Sequence, residues 1–123
     1  MISAAIVLYN TDESDLSRIV NSYCPNEDKL LFLIDNSEVE SKTAIKLSLD
    51  NVYIDYFHNI SNIGYGAAHN IGIRKSIELG AKYHLILNPD VSFESYILDE
   101  LEEYADKNDD VVYILPKVLY PNG

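Results

Sequence analysis

Apolar residues gather into five short runs along the chain, each closed by polar or turn-forming residues. The runs are SAAIVLY (3–9), KLLFLI (29–34), NVYIDYF (51–57), YHLIL (83–87) and VVYILP (111–116). Several are continuous rather than alternating. A strand covered on both faces needs apolar side chains on both, so continuous runs predict parallel strands inside a layered fold. The segments between them carry helical spacing. In DESDLSRIVNSY (12–23), Leu16, Ile19, Val20 and Tyr23 recur at i, i+3, i+4 and i+7, which lines one helix face. Asp12, Glu13 and Asp15 crowd its first turn, where the macrodipole favours carboxylates. SEVESKTAIKLSL (37–49) opens on Ser37-x-x-Glu40, a capping-box spacing. GAAHNIGIRKSIELG (66–80) starts with small residues and closes on Gly80, a C-cap signal. In SFESYILDELEEYADKN (92–108), Ile97, Leu98, Leu101, Tyr104 and Ala105 form the expected buried face, with Glu100, Glu102, Glu103 and Asp106 in solvent.

This alternation predicts a three-layer α/β/α fold with a mainly parallel, Rossmann-like sheet. A length of 123 residues suits one domain, and the chain shows no internal repeat, low-complexity tract or linker. The closing Pro121-Asn122-Gly123 is a turn signal that normally leads into further chain. The expectation is therefore a single domain over 1–123 that stops before a second half.

Composition narrows the function classes. At 47% hydrophobic the chain has the means to build a core and is not disordered. A net charge of −11 argues against nucleic acid, whose phosphates call for clustered Lys and Arg. No stretch is long and apolar enough to span a bilayer, and MISAAIVLYN reads as a first strand rather than a signal peptide. Cys24 is the single cysteine, so no internal disulfide forms, which fits a reducing cytoplasm; beside Pro25 with no nearby His it reads as inert.

In open α/β sheets ligands bind beyond the carboxyl ends of the strands. Those ends are polar throughout: Tyr9, Asn10, Thr11 and Asp12 after the first run, Asp35-Asn36-Ser37 after the second, HNISNIGYGAAHN after the third and Asn88-Pro89-Asp90 after the fourth. Each alone reads as a cap or an Asx turn; all four at one edge read as a site. In NIGYGAAHNIGI (62–73), Gly64 and Gly66 precede a helix whose N-terminus suits phosphate, with His69 and Asn70 on its first turn. The glycine spacing is a poor dinucleotide fingerprint and follows the third strand, not the first, which excludes a nicotinamide-dinucleotide site. An acidic protein repels a phosphate ligand unless carboxylates hold Mg²⁺ or Mn²⁺ between them. Asp90 is the natural ligand for that ion, and Asn88 is placed to hydrogen-bond a sugar hydroxyl.

IVLYN, LIDNSE, NIGYGAAHNIGI, HLILNPDV and LPKVLYPNG occur in that order over nearly the whole chain. Together they resemble the nucleotide-binding half of a family 2 glycosyltransferase of GT-A fold, and most closely its rhamnosyltransferase-like branch. The resemblance implies that Asp35 contacts the nucleotide base and that Tyr9, Asn10, Asn36, Gly64, His69, Asn70 and Asn88 line the nucleotide-sugar site. Many relatives have Arg where this chain has His69, which pairs a diphosphate less well. The family's Asp-x-Asp motif maps onto Asn88-Pro89-Asp90, with Asp90 as the ligand of Mg²⁺ or Mn²⁺ and Asn88 in the first position, as is typical of the rhamnosyltransferase-like branch. The implied reaction is inverting transfer of a sugar, rhamnose by that branch, from a dTDP- or UDP-linked donor to a glycan or lipid-linked acceptor in cell-surface polysaccharide synthesis. The implied location is the cytoplasm, with peripheral association at the inner face of a membrane. The general base is expected beyond Gly123.

Other classes compete. A receiver-like signalling domain fits the length, the acidity, Asp55 and Lys117, but needs an acidic pair after the first strand, where Tyr9-Asn10 stands. A nucleotidyltransferase would place a basic, Gly-rich loop there, and YNTDESD is neither. A non-catalytic interaction domain would use the ten tyrosines as contact surface.

Overall fold

Four strands and four helices alternate along the chain in a computed structural model that describes residues 1–116 and 119. They are β1 (Ile2–Leu8), α1 (Glu13–Tyr23), β2 (Lys29–Asp35), α2 (Lys42–Asp50), β3 (Ile54–His58), α3 (Tyr65–Glu78), β4 (Tyr83–Leu87) and α4 (Tyr96–Lys107). The strands pair in parallel in the order β3-β2-β1-β4. The chain steps outward from β1 to β3, then crosses back to the far side of β1. Right-handed crossovers then put α1 and α2 on one face and α3 on the other.

Packing follows from that topology. Ile2, Ala4, Ile6 and Leu8 of β1 join Leu31 and Leu33 of β2 and Ile54 of β3 against Leu16, Ile19, Val20 and Tyr23 of α1, Ala44 of α2 and Leu98 of α4. The opposite side chains, Ala5, Val7, Phe32 and Ile34, pack against Ala68 of α3. β1 is buried at all seven positions, which is why its sequence does not alternate. α3 lies close to the sheet: a Cβ at Gly72 would stand 2.6 Å from the Ala5 Cβ. No larger residue fits there without moving the helix.

Local sequence sets the boundaries. Asp12 caps α1, accepting from the Ser14 and Asp15 backbone N–H groups. The Tyr23 hydroxyl donates to the Leu30 carbonyl at 2.8 Å and ties the end of α1 to β2. Gly80, at φ +75, follows α3 in the left-handed conformation that glycine adopts freely. α2 begins later than the Ser37-x-x-Glu40 spacing predicts. Its N-cap is Ser41, whose side chain accepts from the Ala44 N–H, because the Ser37 hydroxyl is engaged elsewhere, accepting from the Asn10 N–H.

Two further expectations need correction. The fifth apolar run forms no strand over residues 111–116, where Val112, Tyr113 and Leu115 are exposed. An apolar run supplies β propensity, but a ladder needs a neighbour, and the described sheet has four strands. On α4, Leu98 and Ala105 are buried while Tyr104 is exposed, because only one narrow stripe of this helix meets the sheet. Lys117 and the Pro121-Asn122-Gly123 turn signal lie outside the described residues.

Candidate functional site

Because every strand runs the same way, all four carboxyl ends meet at one edge. β1 delivers Tyr9 and Asn10, β2 delivers Asn36 and Ser37, and β4 delivers Asn88, Pro89 and Asp90. Gly64 and Tyr65 open α3 at the same edge. The strand order reverses beside β1, with β2 and β3 to one side and β4 to the other, the place where open α/β sheets form ligand crevices.

The rear of this edge is a connected polar framework. The Asn10 backbone, at φ +49, donates its N–H to the Ser37 hydroxyl at 2.7 Å. The Asn36 amide donates to the Gly64 carbonyl at 3.2 Å and its oxygen accepts from the Asn59 amide at 2.8 Å. His58 donates through Nε2 to the Ser37 carbonyl at 2.7 Å. These bonds lock the loop after β2 to the loops after β1 and β3. Gly64 sits at φ +90, a conformation that favours glycine, as the N-cap of α3.

Asp35 lies beneath this framework and is fully buried. Strand alternation explains the direction: Leu31, Leu33 and Asp35 share the face that meets α1 and α2. Its Oδ2 accepts from the Tyr56 hydroxyl at 2.6 Å and its Oδ1 accepts from the Ser37 N–H at 2.9 Å. The same Tyr56 hydroxyl accepts from the Ser41 N–H at 3.0 Å, at the start of α2. Burial and the neighbouring Asp35 carboxylate raise the Tyr56 pKa, so the phenol stays a donor. Asp35 therefore organises the β2 loop from below and presents no open carboxylate oxygen to the crevice.

His69 is likewise buried, at 3% exposure, and neither ring nitrogen has a hydrogen-bond partner among the described residues. Desolvation lowers its pKa, which keeps the imidazole neutral. The Tyr65 ring covers it edge-on at 4.5 Å between centroids. Deeper under α3, His84 Nδ1 lies 2.7 Å from the Ser3 hydroxyl, which is also hydrogen-bonded to the Ser76 hydroxyl. The His84 tautomer decides whether Nδ1 or the Ser3 hydroxyl donates in that contact, and Nε2 has no partner among the described residues.

The exposed members of the edge are Tyr9, Asn10, Gly64, Asn70, Asn88 and Asp90. The Asn88 side chain accepts from the Tyr65 hydroxyl at 2.8 Å. Asp90 forms no ion pair among the described residues. The described residues hold no group of three or more His, Cys, Asp or Glu placed to cage a metal. That donor set fits Mg²⁺ or Mn²⁺ only in the manner those ions favour, with one protein carboxylate and the remaining positions filled by phosphate oxygens and water. Sequence reasoning missed Tyr56, and it included His58, Asn59 and Tyr65 only as part of the stretch after the third run without assigning them a role. The period-two relation of Ile54, Tyr56 and His58 along β3 is the signal that points Tyr56 toward Asp35. Asp55 is the second residue of β3 and exposed on an edge strand, far from the strand-end position that a phospho-accepting Asp needs. No helix among the described residues is long and apolar enough to cross a membrane.

No family model matches the chain. No curated protein matches it. Solved structures do. S. aureus TarS 1-349 superposes with a TM-score of 0.71 at 14% identity, over 88% of this chain and 33% of that one. A second crystal structure of S. aureus TarS matches with a TM-score of 0.67 at 13% identity, over 86% of this chain and 19% of that one. This chain thus spans about a third of the first and about a fifth of the second. Likeness at this identity speaks for the fold alone: a parallel α/β sheet with its helices.

Proposed function

We propose that this chain is the donor-binding part of an inverting glycosyltransferase acting on a dTDP- or UDP-linked sugar. The observation that supports it best is the convergence at one sheet edge. The Asn88-Pro89-Asp90 turn after β4 faces the same side as Asn10 and Asn36, next to the strand-order reversal. The fold shared with TarS is consistent with this reading.

In this proposal Asp90 holds Mg²⁺ or Mn²⁺ together with the donor's diphosphate, and Asn88 meets the ribose. Tyr9 and Asn10 border the nucleotide, Gly64 lets backbone approach it, and Asn70 flanks it from the second turn of α3. Asp35, Asn36 and the buried His69 shape the site from behind. The ion, when bound, offsets the repulsion between the chain's net charge of −11 and the diphosphate and stabilises the leaving group. An acceptor hydroxyl attacks the anomeric carbon in line, its proton passes to a carboxylate base, and the nucleoside diphosphate departs with inversion. The proposal takes a glycan or lipid-linked molecule as acceptor, rhamnose as the transferred sugar, and the inner face of a membrane as the place of action, and assigns the base to none of the described residues.

The test is calorimetric titration of UDP and dTDP with Mg²⁺, Mn²⁺ or EDTA, into the chain and into Asp90→Ala. The expected result is metal-dependent binding of one nucleotide that Asp90→Ala abolishes. Binding indifferent to both EDTA and Asp90→Ala refutes the metal role; absence of binding under every condition refutes the donor-site reading of this chain.

A further inference from the structure

Asn88 leaves the end of β4 exposed, and the one hydrogen bond its side chain makes among the described residues comes from another element. A carboxamide has one acceptor oxygen and one NH₂ group with two donors. The Tyr65 hydroxyl, from the first residue of α3, donates to Oδ1 at 2.8 Å. With the oxygen so held, the amide plane is set and the NH₂ group is the end left for a ligand. The Tyr65 ring is itself held. It meets the His69 ring edge-on, at 4.5 Å and an interplanar angle of 71°. His69 is buried under α3 and has no other polar engagement among the described residues. Desolvation raises the Tyr65 pKa, so its hydroxyl remains a proton donor at neutral pH. A buried imidazole thus backs an aromatic ring, and that ring's hydroxyl turns an exposed amide.

Resting on the nucleotide-binding reading above, we infer that Tyr65 is a positioning residue, orienting Asn88 so that its N–H groups donate to a ribose hydroxyl oxygen of a nucleoside diphosphate. The ribose is the chemistry that fits. Asp90, two residues on, takes the diphosphate through the cation, which leaves Asn88 to the nucleoside side of the ligand.

Tyr65→Phe removes one oxygen and keeps the ring over His69. The experiment titrates UDP and dTDP, and their analogues lacking the ribose hydroxyls, into the chain and into Tyr65→Phe with Mg²⁺ present, with thermal melts confirming that both are folded. The expected result is roughly fivefold weaker binding of the natural nucleotide by Tyr65→Phe, the scale of one hydrogen bond, and unchanged binding of the hydroxyl-free analogue. Equal weakening for both ligands assigns Tyr65 a general structural role and overturns the inference. Unchanged affinity for both ligands overturns it too, while leaving the donor-site reading intact. Failure of the unaltered chain to bind either natural nucleotide removes that reading, and the inference falls with it.

Discussion

Stability should fall between pH 7 and pH 5 because of one imidazole, His84. Its ring lies between the sheet and α3, offset-stacked on Phe32 at 6.5 Å between centroids, with Nδ1 2.7 Å from the Ser3 hydroxyl and Nε2 unpartnered among the described residues. Burial, and secondarily the charge of nearby His69, pulls its pKa from 6.5 down to about 4. Below pH 6.5 the unfolded chain therefore takes up a proton that the folded chain refuses. The stability at stake is fully present above about pH 6.5 and is lost as pH falls toward 4. At 1.36 kcal/mol per pKa unit, His84 alone removes about 2 kcal/mol between pH 7 and pH 5, and about 3 kcal/mol once the pH lies below 4. The assay is urea unfolding followed by circular dichroism at both pH values, on the chain and on His84→Gln, which carries no titrating group at that position. Carboxylates titrate in both proteins and largely cancel in the comparison; the charge of His69 acts on His84, so its own titration is read separately on His69→Gln. The chain should lose about 2 kcal/mol more than His84→Gln over this interval. Equal losses, within about 0.5 kcal/mol, would refute the reasoning.

Two further outcomes follow from close packing and from the buried carboxylate. Gly72→Ala should destabilise the fold by about 1–3 kcal/mol despite alanine's better helix propensity, since its methyl would stand 2.6 Å from the Ala5 Cβ. Combined with Ala5→Gly, the two losses should not add, and additive losses in urea unfolding would place the cause elsewhere. Asp35→Ala should cost about 2–3 kcal/mol, because it strips partners from the buried Ser37 N–H and from the Tyr56 hydroxyl; a change under about 0.5 kcal/mol in thermal or urea unfolding would show that the framework does not depend on it.

Much of this architecture is legible in the sequence, and the reasons are specific. Continuous apolar runs place four parallel strands because burial on both faces leaves no room for alternation, as β1 shows at every position. Polar strand ends locate the edge because a parallel sheet brings them together. What escapes is direction. Asp35 reads as a crevice residue from its place after β2, yet it shares a face with Leu31 and Leu33 and turns under α2 toward Tyr56. His69 reads as a first-turn ligand contact, yet it belongs to the stripe Ala68, His69, Gly72 and Ser76 that faces the sheet. The capping box at Ser37 is a sound local signal overruled by a tertiary one, the Asn10 N–H taking the hydroxyl. The apolar run at 111–116 has strand composition without a strand, because sequence supplies propensity and only a neighbouring strand supplies a ladder.

The open side of β4 carries a consequence of its own. Among the described residues this strand pairs only with β1, and Ile86, its fourth residue, is 53% exposed. Its outer row of backbone N–H and C=O groups is a template for another strand. Such a strand would run beside the same β4 that ends in Asn88-Pro89-Asp90 and would wall one flank of the crevice. Extension of the sheet and enclosure of the ligand would then be a single thermodynamic event. If a strand docked along β4 and also touched a bound ligand, each would change the affinity of the other by the same factor.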